Sequence, residues 1–237
     1  EGRLGTPRRE RIMAVAQTTA KFGYNNTYAG TAAGSFSSTP TVGNTVIAVG
    51  YSNGDGVPIG LSVDDNQGNG AYTLVQGPEM SNNSRCWIAY KTGIASSGTF
   101  TVTATASGSP RSMEVVLLEI PAADVSGGLD QSVIGGISTG AYALSTPVAN
   151  ATASAFCVSA LVLAASGNVA SPALTTAPSG YTNILDADTA GTCEATAAYR
   201  YAGAAAVETV TYPDYFSGSY NQSGVLLTFK TSGGSPT

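Results

Sequence analysis

The sequence predicts an all-β fold: an antiparallel β-sandwich of jelly-roll or immunoglobulin-like type with about 10–13 strands. Three observations lead there. No long stretch places apolar residues at i, i+3, i+4 and i+7, the spacing of an amphipathic helix. Short runs of β-branched and aromatic residues recur instead, each bounded by Gly, Asn, Asp, Ser or Pro. Only 11% of residues are charged while 43% are hydrophobic, enough apolar material for a core beneath a hydroxyl-rich surface.

The first 13 residues stand apart. Four of the ten basic residues, Arg3, Arg8, Arg9 and Arg11, fall here, and the rest of the chain holds six basic against 13 acidic side chains. One reading is a basic arm for an acidic partner. The other comes from back-translating Pro7–Met13, which gives a purine-rich ribosome-binding sequence shortly before an ATG codon. On that reading Met13 is the start, residues 1–12 lie upstream of it, and residues 1–13 stand outside the fold as a non-native or disordered leader. Neither start is followed by the basic and then apolar segments of a secretory signal. Residues 14–37, rich in Ala, Gly, Ser and Thr, read as an N-terminal arm that adds a strand to a neighbouring subunit. The sandwich is expected over residues 38–230, with 231–237 as a tail.

Strand-like runs follow in order: Val15–Phe22, Asn44–Tyr51, Pro58–Val63, Ala71–Gln76, Ser84–Lys91, Gly98–Ala106, Met113–Ile120 and Asp130–Ile134. Then come Phe156–Ala164, Tyr181–Ala187, Cys193–Tyr201, Glu208–Tyr212 and Gly224–Lys230. Thr99–Thr105 alternates polar and apolar, so its threonine face is expected to be wet. Val115–Leu118 and Val225–Leu227 are continuous apolar runs, suited to central strands covered on both faces.

An internal repeat runs through these elements. Tyr72-Thr73 matches Tyr181-Thr182, Tyr90-Lys91 matches Tyr199-Arg200, Thr101–Thr103 matches Thr209–Thr211, and Val116–Leu118 matches Val225–Leu227. The offset stays near 109 residues, so residues 44–120 and 156–230 read as pseudo-repeats of a duplicated unit. The two copies face each other as the two sheets of one sandwich, or form two small domains. The absence of a Pro-, Ser- or charge-rich linker favours one domain.

The side chains offer little chemistry. The chain has no histidine, which removes Ser-His-Asp and Cys-His catalysis and most catalytic zinc sites. No histidine is available to activate a serine nucleophile, and the Gly-rich loops lack a phosphate-binding lysine at the right spacing. Glu114 and Glu119 sit at odd separation in one strand and so point to opposite faces. Acidic residues elsewhere are scattered or, like Asp186, Asp188 and Asp214, carry no motif, so no enzyme is expected. Asp64 and Asp65 open an oxygen-rich loop and are weak calcium candidates, but the twelfth position from either is Val75 or Gln76, not Glu. A hairpin turn explains that loop more simply. No cofactor is expected. Tyr212, Tyr215, Phe216 and Tyr220 cluster around Pro213 and Gly218 and form the candidate ligand platform, for stacking on a sugar or for a subunit contact. The three cysteines, Cys86, Cys157 and Cys193, lack C-x-x-C spacing. They read as buried free thiols, with a Cys86–Cys193 disulfide as the alternative. Sequons occur at Asn25, Asn82, Asn150 and Asn221.

Several of these runs together resemble a β-sandwich module family. Ser38–Tyr51 (STPTVGNTVIAVGY) has its opening Pro, then Gly-Asn, then an apolar strand. Asp65–Thr73 (DNQGNGAYT) is similar to the family hairpin D-x-x-G-N-x-Y-T, with one extra residue between Asn69 and Tyr72. Arg85–Lys91, Thr101–Thr105, Val115–Ile120, Ser179–Thr182 and Val225–Lys230 continue in the same order. The resemblance spans about residues 15–230 and implies a fold, not an active site. Such modules belong to bacterial extracellular multidomain proteins and to tailed-phage structural proteins.

The resemblance and the sparse chemistry together lead to an expectation of a non-enzymatic virion component. It would be a surface decoration or cement protein, or a fibre-like one, assembled in the host cytoplasm. The alternative is a carbohydrate-binding or adhesive module of a bacterial cell-surface or secreted protein. Expected partners are further copies of the chain or other virion proteins, or surface glycans on the alternative reading. A net charge of −5 without a basic stripe argues against nucleic acid, and no apolar run is long enough for a membrane span.

Overall fold

A computed structural model describes residues 14–19, 30–53, 60–80, 84–107, 112–125, 128–135, 142–152, 155–164, 177–188, 193–212 and 221–231. These residues form an all-β, wholly antiparallel protein, as the sequence predicts. Its first half contributes β1 (Gln17–Thr18), β2 (Thr31–Ser35), β3 (Thr45–Asn53), β4 (Leu61–Asp65), β5 (Thr73–Gln76), β6 (Arg85–Lys91), β7 (Thr101–Ala106) and β8 (Ser112–Ile120). A 3-10 turn at Ala122–Asp124 leads to the second half. There follow β9 (Leu129–Gly135), β10 (Tyr142–Ser145), β11 (Phe156–Ala164), β12 (Thr182–Asp188), β13 (Cys193–Tyr201), β14 (Thr209–Tyr212) and β15 (Asn221–Phe229). No helix among the described residues is long and apolar enough to cross a membrane.

The strands make four stacked layers. The two inner sheets have five strands each, in the orders β1-β8-β3-β6-β5 and β9-β15-β11-β13-β12. The outer layers are a three-stranded sheet, β2-β7-β4, and a two-stranded one, β10-β14. Both inner sheets are covered on both faces. For β3 and β8, even and odd positions feed different cores, so all nine residues of each strand are buried. Ile47, Val49, Val116 and Leu118 enter the central core, which Val158, Val225 and Leu227 complete from the second half. Val46, Ala48, Val115 and Leu117 enter the first outer core with Trp87, Phe100 and Val102. Leu161, Leu163 and Leu226 face Tyr142, Val210 and Tyr212 in the second outer core. This burial on both sides explains the unbroken apolar runs at Val115–Leu118 and Val225–Leu227.

The inner-sheet orders coincide strand for strand: β1 with β9, β8 with β15, β3 with β11, β6 with β13, β5 with β12. Register agrees with the repeat. Tyr90 pairs with Ile47, and Tyr199 pairs with Val158. Each half is therefore two layers, not the single sheet of a shared sandwich. The halves meet where β6 packs on β11 and β15, and β3 packs on β11 and β13.

Two strands lie where none was expected, β2 and β10. β2 bears on the N-terminal arm. Thr31–Ser35 pairs with Thr105–Thr101 of β7, and Gln17–Thr18 pairs with Glu119–Leu118 of β8. Both segments complete this chain's own sheets, so the 14–37 stretch carries the first two strands of the first half. Its Ala, Gly, Ser and Thr content hid the strands: β2 (Thr-Ala-Ala-Gly-Ser) has no large apolar residue because its inward side meets Leu117 at close range. A methyl at Gly34 would come within 3.2 Å of Leu117.

Candidate functional site

The carboxylates show first what the molecule does with its few charges. Asp65, at the end of β4, accepts from Gln67 N (2.9 Å), Asn69 N (3.3 Å), Asn69 Nδ2 (3.0 Å) and the Tyr72 hydroxyl (3.0 Å). Both of its oxygens are spent on its own turn. Asp64 is exposed, and as the adjacent strand residue it points to the other face. The pair therefore does not converge on a cation, and the calcium candidacy of Asp64 and Asp65 gives way to a hairpin organised by one aspartate. Gly68 and Gly70 occupy positive φ (+76° each) in that turn. Burial, then the neighbouring Asp65 charge and hydrogen bond, push the Tyr72 hydroxyl well above the usual phenol range.

The second half uses the equivalent tyrosine in the same way with a different acid. The Tyr181 hydroxyl donates to Glu208 Oε1. Arg200 donates to the same carboxylate through Nε (2.6 Å) and Nη2 (2.8 Å), and its guanidinium lies 4.9 Å from the Tyr181 ring centre. Burial first, and the Glu208 hydrogen bond next, hold the Tyr181 proton on. Glu119 is a third hub, accepting from Thr41 N (2.7 Å), Asn44 Nδ2 (2.5 Å) and Gln17 Nε2 (2.6 Å). Gln17 on β1 has a counterpart in Gln131 on β9, which donates to the Val148 carbonyl (3.0 Å). Sequence reasoning missed Gln17, Gln131, Glu119 and Glu208 as organisers. Their only signal is a glutamine just inside each half's first inner-sheet strand.

Of the expected aromatic platform, only Tyr212 lies among the described residues. Tyr212 is fully buried, and its hydroxyl is 2.9 Å from Ser159 Oγ on β11. β14 alternates exposed Thr with buried Val210 and Tyr212, so this tyrosine belongs to the outer core and presents no face to a sugar. Tyr215, Phe216 and Tyr220 lie outside the described residues. Cys86 and Cys157 are free and buried, which sets aside the Cys86–Cys193 disulfide. Asn150 is 2% exposed, so that sequon is no glycan acceptor in the folded chain. Among the described residues, no three His, Cys, Asp or Glu side chains gather as a metal site.

What the molecule does present is two hydroxyl-lined faces. Thr31, Ala33 and Ser35 of β2 point outward beside Thr105, Thr103 and Thr101 of β7, with Ser62 and Asp64 of β4 completing the rows. At the opposite end of the stack, Ala143 and Ser145 of β10 lie outward beside Thr211 and Thr209 of β14. The hydroxyls pair within each face: Ser35 Oγ with Thr101 Oγ1 at 2.7 Å, and Ser145 Oγ with Thr209 Oγ1 at 2.9 Å. Asp64 is the one charge in these rows. Such a face can meet another surface without stripping water from buried ions. Compared with family models, curated proteins and solved structures, the chain matches none.

Proposed function

We propose that this protein is a non-enzymatic structural component of a bacteriophage virion surface, a decoration or fibre-like protein that acts through contacts between subunits. The observation that supports this reading is the pair of hydroxyl-lined faces closing the two ends of the four-layer stack. Both are nearly uncharged and built from small side chains, so a second surface can approach them closely. Asp65, Glu119 and Glu208 spend their carboxylates on fastening loops. On the same reading the two halves are copies of one ancestral unit, which their common strand order supports.

The test uses one arginine at the centre of each face, Thr103→Arg and Thr211→Arg. Both positions point outward, so the fold should tolerate either change. Sedimentation and binding to virus particles lacking the protein are then compared. Loss of self-association or particle binding in either variant, with unchanged circular dichroism, supports the assembly reading. A wild-type chain that stays monomeric, ignores particles and binds a glycan array overturns it in favour of the adhesive module.

A further inference from the structure

The seam between the two inner sheets contains a row that holds three ionisable side chains in one half and none in the other. In the first half Tyr51 of β3 pairs with Glu114 of β8 on one side and Cys86 of β6 on the other. The corresponding row of the second half is Ser223, Val162 and Ala195. Two members of these rows tie the halves together. Cys86 Sγ donates to the carbonyls of Ser223 (3.2 Å) and Ala160 (3.5 Å), and Ser223 Oγ donates to the Pro78 carbonyl (2.7 Å). Glu114 occupies the first-half position that Ser223 holds in the second, and it makes no such tie. It is 2% exposed, and the neighbouring Tyr51 hydroxyl reaches its carboxylate.

We propose that Glu114 is a pH-sensitive latch on this seam: as the neutral acid it lets the halves close, and on giving its proton to solvent it loosens them. The physical basis is the cost of ionising a carboxylate held out of water, which a neighbouring hydroxyl offsets only in part. Burial pushes the Glu114 acid up to about 7, with Tyr51 pulling weakly the other way. The titratable groups sharing its row stay neutral through this range. Tyr51 is a phenol, and burial pushes the Cys86 thiol up to about 12. The seam-facing core residues of β11, β13 and β15 are alanine, valine, leucine and phenylalanine, together with Ser223 and with Tyr199 and Tyr201 packed against the same core. The charged residues on these elements are Arg85, paired with Glu79, and Lys91 on β6, Glu119 on β8, and Arg200, paired with Glu208, on β13; Arg111 before β8, Asp186 and Asp188 on β12 and Glu194 on β13 have side chains outside the described set. Because the folded acid is raised above its unfolded value, the stabilisation is fully present below pH 4.5 and is lost as pH rises toward and through 7.

Cys86 reports the opening, since its thiol is buried in the seam itself. Maleimide labelling, localised by peptide mass spectrometry, is compared in the full-length wild type and Glu114→Gln from pH 5.5 to 8.5. Taking the ratio at each pH cancels the intrinsic reactivity of a thiol. The wild-type rate relative to the variant should rise about 30-fold across that range. A flat ratio overturns the latch. A second comparison needs no variant: Cys157 sits in the second outer core, away from the seam. In the wild type, Cys86 labelling should outpace Cys157 labelling progressively as pH rises, and equal acceleration of both thiols would equally overturn the proposal.

Discussion

Individual residues decide how the two halves fill the same space. On β3, Gly50 pairs with Trp87, and the indole lies over the glycine. On β11 the corresponding pair is Leu161 with Thr196. Large and small have changed strands while each pair still fills one inter-sheet slot, as dense packing requires. A methyl added at Gly50 would sit 2.3 Å from the Trp87 ring and 2.1 Å from the Glu114 carbonyl oxygen. The second obstacle is backbone, so a rotamer change cannot relieve it. Gly50→Ala should therefore cost about 3 kcal/mol, the upper end of overpacking penalties. Gly203→Ala is the control, because nothing lies within 4 Å of its added methyl. Urea midpoints of the two variants check this. A Gly50→Ala protein within about 1 kcal/mol of wild type would mean that β3 and β8 shift apart more easily than their burial suggests.

At the level of elements, the first strand is held by one side chain more than by its ladder. β1 pairs over only Gln17 and Thr18, and its amides add bonds from Ala16 to the Glu119 carbonyl (2.8 Å) and Thr19 to the Leu117 carbonyl (3.1 Å). Gln17 locks this seat by reaching Glu119 and exchanging bonds with Ser38. Gln17→Ala should speed hydrogen exchange at Ala16 and Thr19 at least tenfold while leaving β11 and β13 protected. Uniform loss of protection would show that β1 is not a separable element. Glu119→Ala should be harsher, roughly 3–5 kcal/mol, because it strands Thr41 N and Asn44 Nδ2 as well. The inner strands were legible in the sequence because burial on both faces writes long apolar runs, as in Phe156–Ala164. β2 was not, since five small residues against a leucine carry no periodic signal. The tyrosines misled for a related reason. Tyr212 follows Thr-Val-Thr and reads as a loop aromatic beside Pro213, yet strand alternation turns it inward onto Ser159. Glu119 was hidden because one of its partners lies 102 positions away, and Glu208 because its tyrosine lies 27 away, whereas Asp65, with partners within seven residues, reads as a turn.

For the whole molecule, the seam is where two layered units become one body. Its core draws Ile47, Val49, Ile88, Val116 and Leu118 from one half and Val158, Val162, Ala197, Val225 and Leu227 from the other. Aromatic contacts cross it too, Tyr90 meeting Phe229 edge-on at 5.1 Å between ring centres. The covalent link at this boundary is only the short passage from Ile120 to Leu129. If hydrophobic contact holds the halves, cutting that passage should not part them. A protease site replacing residues 126–127 gives the cut without touching either inner sheet. After cleavage, the two fragments should co-migrate on gel filtration at the position of the intact chain and separate only in denaturant. Fragments that part in plain buffer at neutral pH would show that the link, and not the seam, keeps the halves together. The latch sharpens this test. Nicked wild type should dissociate more readily at pH 8.5 than at pH 5.5, because the ionised Glu114 weakens the same contact, whereas nicked Glu114→Gln should hold equally at both. A nicked protein that holds at both pH values in both forms would keep the seam as the source of cohesion and remove Glu114 from its control.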